Sequence, residues 1–317
     1  MNNRKVLLGL DYAAVMHPDD RKTIEWLNGL KVPYKTAKGF LSALARNPSD
    51  HSLKEWYDLF KAGLEYYTFQ DFLRATISKY REAYNEVENQ GDGISITSKS
   101  MPHMYQQLVE CCRILGVKDI PAYTSEWFYA PFHCSNGEVH RRIIITSGCA
   151  DLYSDAEMDF VLGHELGHMA CGHKPYHMLL ETFYMPFIND PSFKAWASIV
   201  KFPLLEWYRI SDYTADRMGL LCCQDINVAL TTMIKRAGLP KKYYNNINIT
   251  GFIQQAKDFD YNLSSLYDKT IKVLSVRSAE FPWLVVRASQ LLSWYESGDY
   301  NKALNKYCSQ GFHYVKR

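Results

Sequence analysis

Apolar positions recur every three or four residues along most of the chain, the spacing that gathers them on one stripe of an α-helix. From Asp19 to Asn89, Thr23, Ile24, Leu27 and Leu30, then Phe40, Leu44, Trp56, Leu59 and Phe60, then Phe69, Phe72, Leu73 and Ile77 follow this rule and predict an all-helical region. Gln90-Gly-Asp-Gly93 interrupts it, and Ile94-Ser-Ile-Thr97 alternates as a short strand does, which places a boundary near residue 92. Ser100 and Pro102 open a helix that runs through Leu108, Val109, Cys112 and Leu115 and closes at Gly116. The period then changes. Ala122 to Cys134 is rich in aromatic residues, Asn136-Gly137 is a strong hairpin signal, and Val139 to Thr146 carries Ile143-Ile144-Ile145, so two antiparallel strands are expected.

Ser154-Asp-Ala-Glu157 next forms a capping box, with a helix from Asp155 to about Gly172 that carries Phe160, Val161, Leu162, Leu166 and Met169. Trp207 to Cys223, Val228 to Ala237, Thr250 to Lys257, Leu263 to Leu274 and Pro282 to Tyr295 read as further helices. The expected fold class is α+β, mainly helical with one small sheet. Two regions are expected: an N-terminal helical region, 1–92, and a second region, 93–317, that carries the strands and the later helices.

The 317 residues allow one large domain or two ordinary ones, and 47% hydrophobic with 22% charged residues describes a folding globular chain. With 36 Lys+Arg against 34 Asp+Glu the formal charge is +2, which offers no broad attraction for nucleic acid. No segment approaches the roughly 18 uncharged apolar residues of a membrane span; Lys201, Pro203, Glu206 and Arg209 break the most apolar stretch, Ala195 to Ile210. The first eleven residues do not read as an export signal, because Asp11 stops the apolar run early. Eight cysteines without a Cys-x-x-Cys read as reduced thiols, and the expected compartment is the cytoplasm.

Candidate chemistry begins with His164-Glu-Leu-Gly-His168, since residues at i and i+4 of a helix share one face and two imidazoles there can hold one metal ion. Zinc suits neutral His nitrogens in tetrahedral geometry, and a catalytic site keeps one position for water. Glu165, one residue on, is placed to take a proton from that water. A third ligand lies elsewhere in the chain. The metzincin pattern is excluded, because Lys174 occupies the position of its third His and Cys171 that of its glycine. Asp212 and Asp216 are the acid pair that fits, at i and i+4 on a later helix and 44 residues after His168; Glu181 and Glu206 have no acid four residues on. They match the gluzincin pattern, a carboxylate ligand on a later helix with an acid one turn on to hold a histidine, which would make Asp212 the ligand and Asp216 the support.

These residues resemble the gluzincin metallopeptidases of the HtpX and CAAX-prenyl-protease type, peptidase family forty-eight. Pro121-Ala-Tyr123, the hairpin, Ile143 to Gly148, the helix Ser154 to His173 and Asp212-x-x-Ala215-Asp216-Arg217-x-Gly219 are similar to its strand pair, active-site helix and third-ligand motif. Phe252 to Lys257 and Phe281 to Trp294 resemble the end of soluble bacterial members, and His17-Pro-Asp-Asp-Arg21 their start. The resemblance spans about 94–296 and implies a zincin-like fold, one zinc per chain, His164, His168 and Asp212 as ligands and Asp216 in support; His173, which also recurs in that family, reads as structural or as a support behind a ligand, with no metal of its own. Three residues depart from it: Asp212 stands for Glu, so that either the helix approaches the metal more closely or the carboxylate fails to reach, Tyr129 stands for Asn, and Phe281 for His.

The expected function is a zinc-dependent endopeptidase that hydrolyses peptide bonds with a zinc-bound water and Glu165 as general base; the alternative is a weak or inactive peptidase-like module that only binds. Tyr213 or Arg287 is the expected donor to the developing oxyanion. The expected partner is a peptide or unfolded protein added as a strand to an edge within Phe128 to Cys134 or Arg141 to Thr146, with no nucleic acid and no spanning segment. The amphipathic stretch His177 to Phe187 reads as core, with covering of the site or peripheral membrane contact as its other uses.

Overall fold

A computed structural model describes residues 4–33, 66–68, 87, 90–126, 133–136, 141–182, 191–262, 283–308 and 314–315. In chain order these form β1 (Arg4–Lys5), α1 (Tyr12–Val15), α2 (Pro18–Gly29), β2 (Lys31–Pro33), β3 (Tyr66–Thr68), β4 (Ile94–Ser95), α3 (Pro102–Leu115), β5 (Ala122–Ser125), β6 (His133–Asn136) and β7 (Arg142–Thr146). There follow α4 (Ser147–Leu152), α5 (Asp155–Ala170), α6 (Lys174–Thr182), α7 (Pro191–Cys223), α8 (Ile226–Arg236), α9 (Ile249–Asn262), α10 (Leu284–Glu296), α11 (Asp299–Tyr307) and β8 (Tyr314–Val315). The fold is α+β, with helices predominant among the described residues.

The main sheet has the order β4-β5-β7-β6. β6 and β7 are antiparallel, His133 opposite Ile145 and Asn136 opposite Arg142, as the hairpin signal predicts. The aromatic-rich stretch is not one strand, however: β5 is separate and lies parallel to β7, Ala122 opposite Ile143. A run of apolar residues marks a strand but not its neighbour, and β7 is interior because Ile143 and Ile145, both fully buried, pack into the core. Arg141 to Thr146 is therefore no edge; β4 and β6 are the edges.

Two more expectations are corrected. Within the region read as all-helical, β2 and β3 pair antiparallel, Val32 opposite Tyr67. Their β-branched and aromatic residues suit a strand, and pairing between segments over thirty residues apart leaves no helical-period signature. The helix expected from Trp207 begins at Pro191 and carries Pro203 inside it. Phe40 to Phe60, Phe69 to Ile77, Leu263 to Leu274, Tyr129 and Phe281 lie outside the described residues, as do Phe183 and Met185.

α5 is buried along the whole of Glu157 to Met169. Its start is a capping box, with the Glu157 carboxylate accepting the Ser154 N–H at 2.7 Å and Lys235 Nζ also at 2.7 Å. α5 and α7 approach so closely that a Cβ on Gly163 would stand 2.4 Å from Cys222 Cβ, one on Gly167 2.7 Å from Met218 Cβ, and one on Gly219 2.8 Å from the Phe160 carbonyl oxygen. Only glycine fits at these contacts. The N-terminal segment shares this core: Val6, Leu7, Leu10, Val15 and Met16 belong to it. Arg4, 3% exposed, pairs with Asp159 of α5 at 3.0 Å and Glu110 of α3 at 2.8 Å.

Candidate metal centre

α5 carries His164 and His168 one turn apart, and their Nε2 atoms stand 3.1 Å from each other. α7 brings Asp212 to the same point, its Oδ1 3.3 Å from His168 Nε2. Donor atoms on a tetrahedral zinc with bonds of about 2.0–2.1 Å stand roughly 3.3 Å apart, so two imidazoles and a carboxylate here fit that ion. All three residues are buried. Burial, followed by the charges of Lys174, His164 and His173, holds the His168 imidazole well below its ordinary pKa, so the ring stays neutral with a lone pair to give. The shorter side chain at 212 reaches this cluster because Gly163, Gly167 and Gly219 let the helix backbones close together.

Asp216 lies behind His164, its Oδ1 2.9 Å from the ring Nδ1. Arg287 of α10 grips the same carboxylate, Nε to Oδ2 at 2.8 Å and Nη2 to Oδ1 at 2.5 Å, and reaches Asp212 Oδ2 with Nη1 at 3.2 Å. Burial works to raise the Asp216 carboxyl pKa, but the Arg287 charge and hydrogen bonds from Arg287 and His164 outweigh it and hold the group below the usual range. A carboxylate so placed can accept an N–H from His164 Nδ1, while Nε2 faces His168. Arg287, expected as an oxyanion donor, is instead engaged with both aspartates. Tyr213 packs edge-on against His17, ring centroids 5.5 Å apart, and burial pushes its hydroxyl up to about 12, so it keeps its proton.

The far side of His168 faces a second set of groups. His168 Nδ1 is 2.9 Å from His173 Nδ1, and His173 Nε2 is 3.1 Å from Asp20 Oδ2. Asp20 Oδ1 accepts the Trp207 indole N–H at 2.7 Å. His168, His173 and His177 also bring ring nitrogens within 4.8 Å of one another, with His177 Nε2 2.9 Å from Ser211 Oγ. Lys174 Nζ lies 3.8 Å from Glu165 Oε2. Glu206 points away, 57% exposed and paired with Arg209.

The structure thus brings His164, His168, Asp212 and Asp216 together, with Glu165 buried next to His164 in sequence. Asp20 and Trp207 were not anticipated as parts of this cluster, and Lys174 figured only as a departure from another motif. The spacing of His173 and His177, i and i+4 just after the motif, was a legible signal; nothing local to Asp20 points at a histidine 153 residues away. In α6 Tyr176, His177, Met178 and Leu180 are buried, so these residues of the stretch pack in the core.

A helix that presents two histidines and a neighbouring carboxylate, crossed by a second helix that presents an acid pair, has the ligand chemistry of a hydrolytic metal site. The family model for peptidase family M48, a family of metallopeptidases, matches residues 128–292, about half of the chain, and the chain belongs to this family. A curated relative, the plastoglobule-localized metallopeptidase 48, chloroplastic, of Arabidopsis thaliana, is 25% identical over 241 residues, covering 74% of this chain and 69% of its own. No solved structure gives a significant match.

Proposed function

We propose that the chain is a zinc-dependent endopeptidase that cleaves peptides or unfolded proteins. The observation that carries this is the meeting of His164 Nε2, His168 Nε2 and Asp212 Oδ1 at 3.1 and 3.3 Å, with Glu165 one residue from the first of them. In this reading His164, His168 and Asp212 hold one zinc, which as a Lewis acid polarises a carbonyl and makes water more acidic. Glu165 takes the proton of the attacking water and delivers it to the leaving amine. Lys174 Nζ pairs with the Glu165 carboxylate at 3.8 Å. Asp216, pinned by Arg287, orients His164.

The substrate backbone pairs with an edge of the main sheet, β6 or β4, as an added strand. The near-balanced charge supports a reading without nucleic acid. No described helix is long and apolar enough to cross a membrane. Cys111, Cys112, Cys149, Cys171, Cys222, Cys223 and Cys308 are free thiols, which supports a reducing compartment such as the cytoplasm. We also propose the division into 1–92 and 93–317, with residues 4–29 of the first contributing to the core of the second.

The test is hydrolysis of an unstructured protein such as casein, with zinc content measured on the same samples. Glu165→Gln is expected to abolish cleavage and keep zinc. Cleavage retained by the variant would sink the general-base role, and zinc-loaded wild type that cleaves nothing would favour a module that only binds.

A further inference from the structure

Each histidine of the cluster has a group at its back. Asp216 stands behind His164, within hydrogen-bond reach. Behind His168 stands another histidine, and the acid is one ring further on, in α2. We propose that Asp20, acting through His173, is a positioning residue that sets the proton on His168 and so makes its Nε2 available to the metal; this rests on the metallopeptidase reading above.

The proton arrangement follows from both ends of the chain of contacts. Asp20 Oδ2 stands 3.1 Å from His173 Nε2, a charge contact outside hydrogen-bond geometry, and a carboxylate so close favours the tautomer that puts N–H on Nε2. With its N–H on Nε2, His173 offers Nδ1 as an acceptor to His168 Nδ1, 2.9 Å away, which then carries the proton. His168 Nε2 is left bare. Starting from the metal gives the same answer, because an imidazole that ligates through Nε2 holds its proton on Nδ1. The same tautomer pair suits the carboxylate at one end and a metal at the other.

The carboxylate that imposes this order is well held. Asp20 and His173 are fully buried, and the Trp207 indole fixes Asp20 Oδ1 at 2.7 Å. Burial works against ionisation of Asp20, yet its pairing with His173 and hydrogen bonds from Thr214 and Trp207 hold the carboxyl below its ordinary value. The start of α2 is tied to α7 as well: Arg217 Nη1 donates to the Val15 and Met16 carbonyls at 3.0 and 3.1 Å, and the His17 N–H donates to Thr214 Oγ1 at 2.9 Å. The helix that bears the acidic pair therefore also positions Asp20. His173 and Asp20 do for His168 what Asp216 does directly for His164, with the N-terminal segment as the source of the charge.

Asp20→Asn tests the idea without changing volume. An amide has one oxygen; with that oxygen kept by the Trp207 N–H, its NH2 faces His173 Nε2 and calls for the opposite tautomer. His173 then offers N–H to His168, whose proton moves to Nε2. Zinc affinity, measured by chelator competition, is expected to fall about 10–100-fold, with an altered cobalt spectrum and a metal-free protein that still unfolds cooperatively. In zinc-loaded wild type, ring nitrogen NMR is expected to find His168 protonated on Nδ1 and His173 on Nε2, a reading that does not depend on any variant folding. Unchanged affinity in Asp20→Asn, equal losses of thermal stability with and without metal, a proton on His173 Nδ1, or a second zinc on His173 would each overturn the proposal. Wild type that takes up no zinc overturns the metallopeptidase reading and this proposal with it.

Discussion

Arg287 sits between two carboxylates with 3% exposure, and its three nitrogens are spent on Asp216 and Asp212. A buried guanidinium so placed is tolerable only while both acids remain ionised. Asp212 and Asp216 should therefore respond differently to removal. Asp212→Ala takes away a proposed donor atom and is expected to empty the site under conditions where wild type keeps one zinc. Asp216→Ala removes the group behind His164 and is expected to weaken zinc by about 10–100-fold without abolishing binding. Chelator competition on the two variants checks this, and equal, undiminished zinc in both would remove this acid pair from the site. The i, i+4 spacing of the two acids was legible because it is local to one helix. The role of Arg287 was not, since its partner Asp216 is 71 residues distant and no pattern in either segment names the other.

α5 and α7 form the element pair on which the cluster depends. Their contact is made at Gly163, Gly167 and Gly219, where backbone meets backbone or the root of a side chain. Gly219→Ala would set a methyl 2.8 Å from the Phe160 carbonyl oxygen and 2.9 Å from its ring, neither of which can swing clear. Forcing the helices apart is expected to cost about 1–3 kcal/mol and to withdraw Asp212 and Asp216, so that both the unfolding midpoint and zinc affinity fall. Gly29→Ala, with nothing within 4 Å of the new atom, is the control and should stay within about 0.5 kcal/mol of wild type. If Gly219→Ala keeps full zinc affinity, the close approach is not what brings the shorter acid within reach. With Asp212 in place of the expected glutamate, the sequence left two outcomes open, a closer helix or a carboxylate that falls short. It did not mark the full length of α7, because Pro203 and the charges around it argue locally against a helix that tertiary packing nevertheless completes.

At the scale of the molecule, five described helices converge on one point, α2, α5, α6, α7 and α10, from residue 20 to residue 287. A metal held there stabilises the folded state alone, by about 2.7 kcal/mol when free zinc is a hundred times Kd. Chelation is thus expected to lower the thermal midpoint by several degrees, re-addition of zinc to restore it, and Glu165→Gln to behave as wild type in both directions. Scanning calorimetry with and without chelator decides; a midpoint indifferent to metal would mean that the site contributes nothing to holding these parts together.

What the sequence determined by itself is what helical and strand periods encode. Two histidines and an acid between them fall on a capped helix, two aspartates fall one turn apart on another, and a β-branched run makes β7; each is a relation among residues within a turn or a strand of one another. The tertiary structure decided the relations between segments: that β5 lies parallel to β7 and leaves it interior, that Arg287 clamps the aspartates, and that Asp20 reaches His168 through His173. Such contacts are chosen by how the whole core closes, chiefly by glycines that admit two backbones and by buried charges that must find a partner.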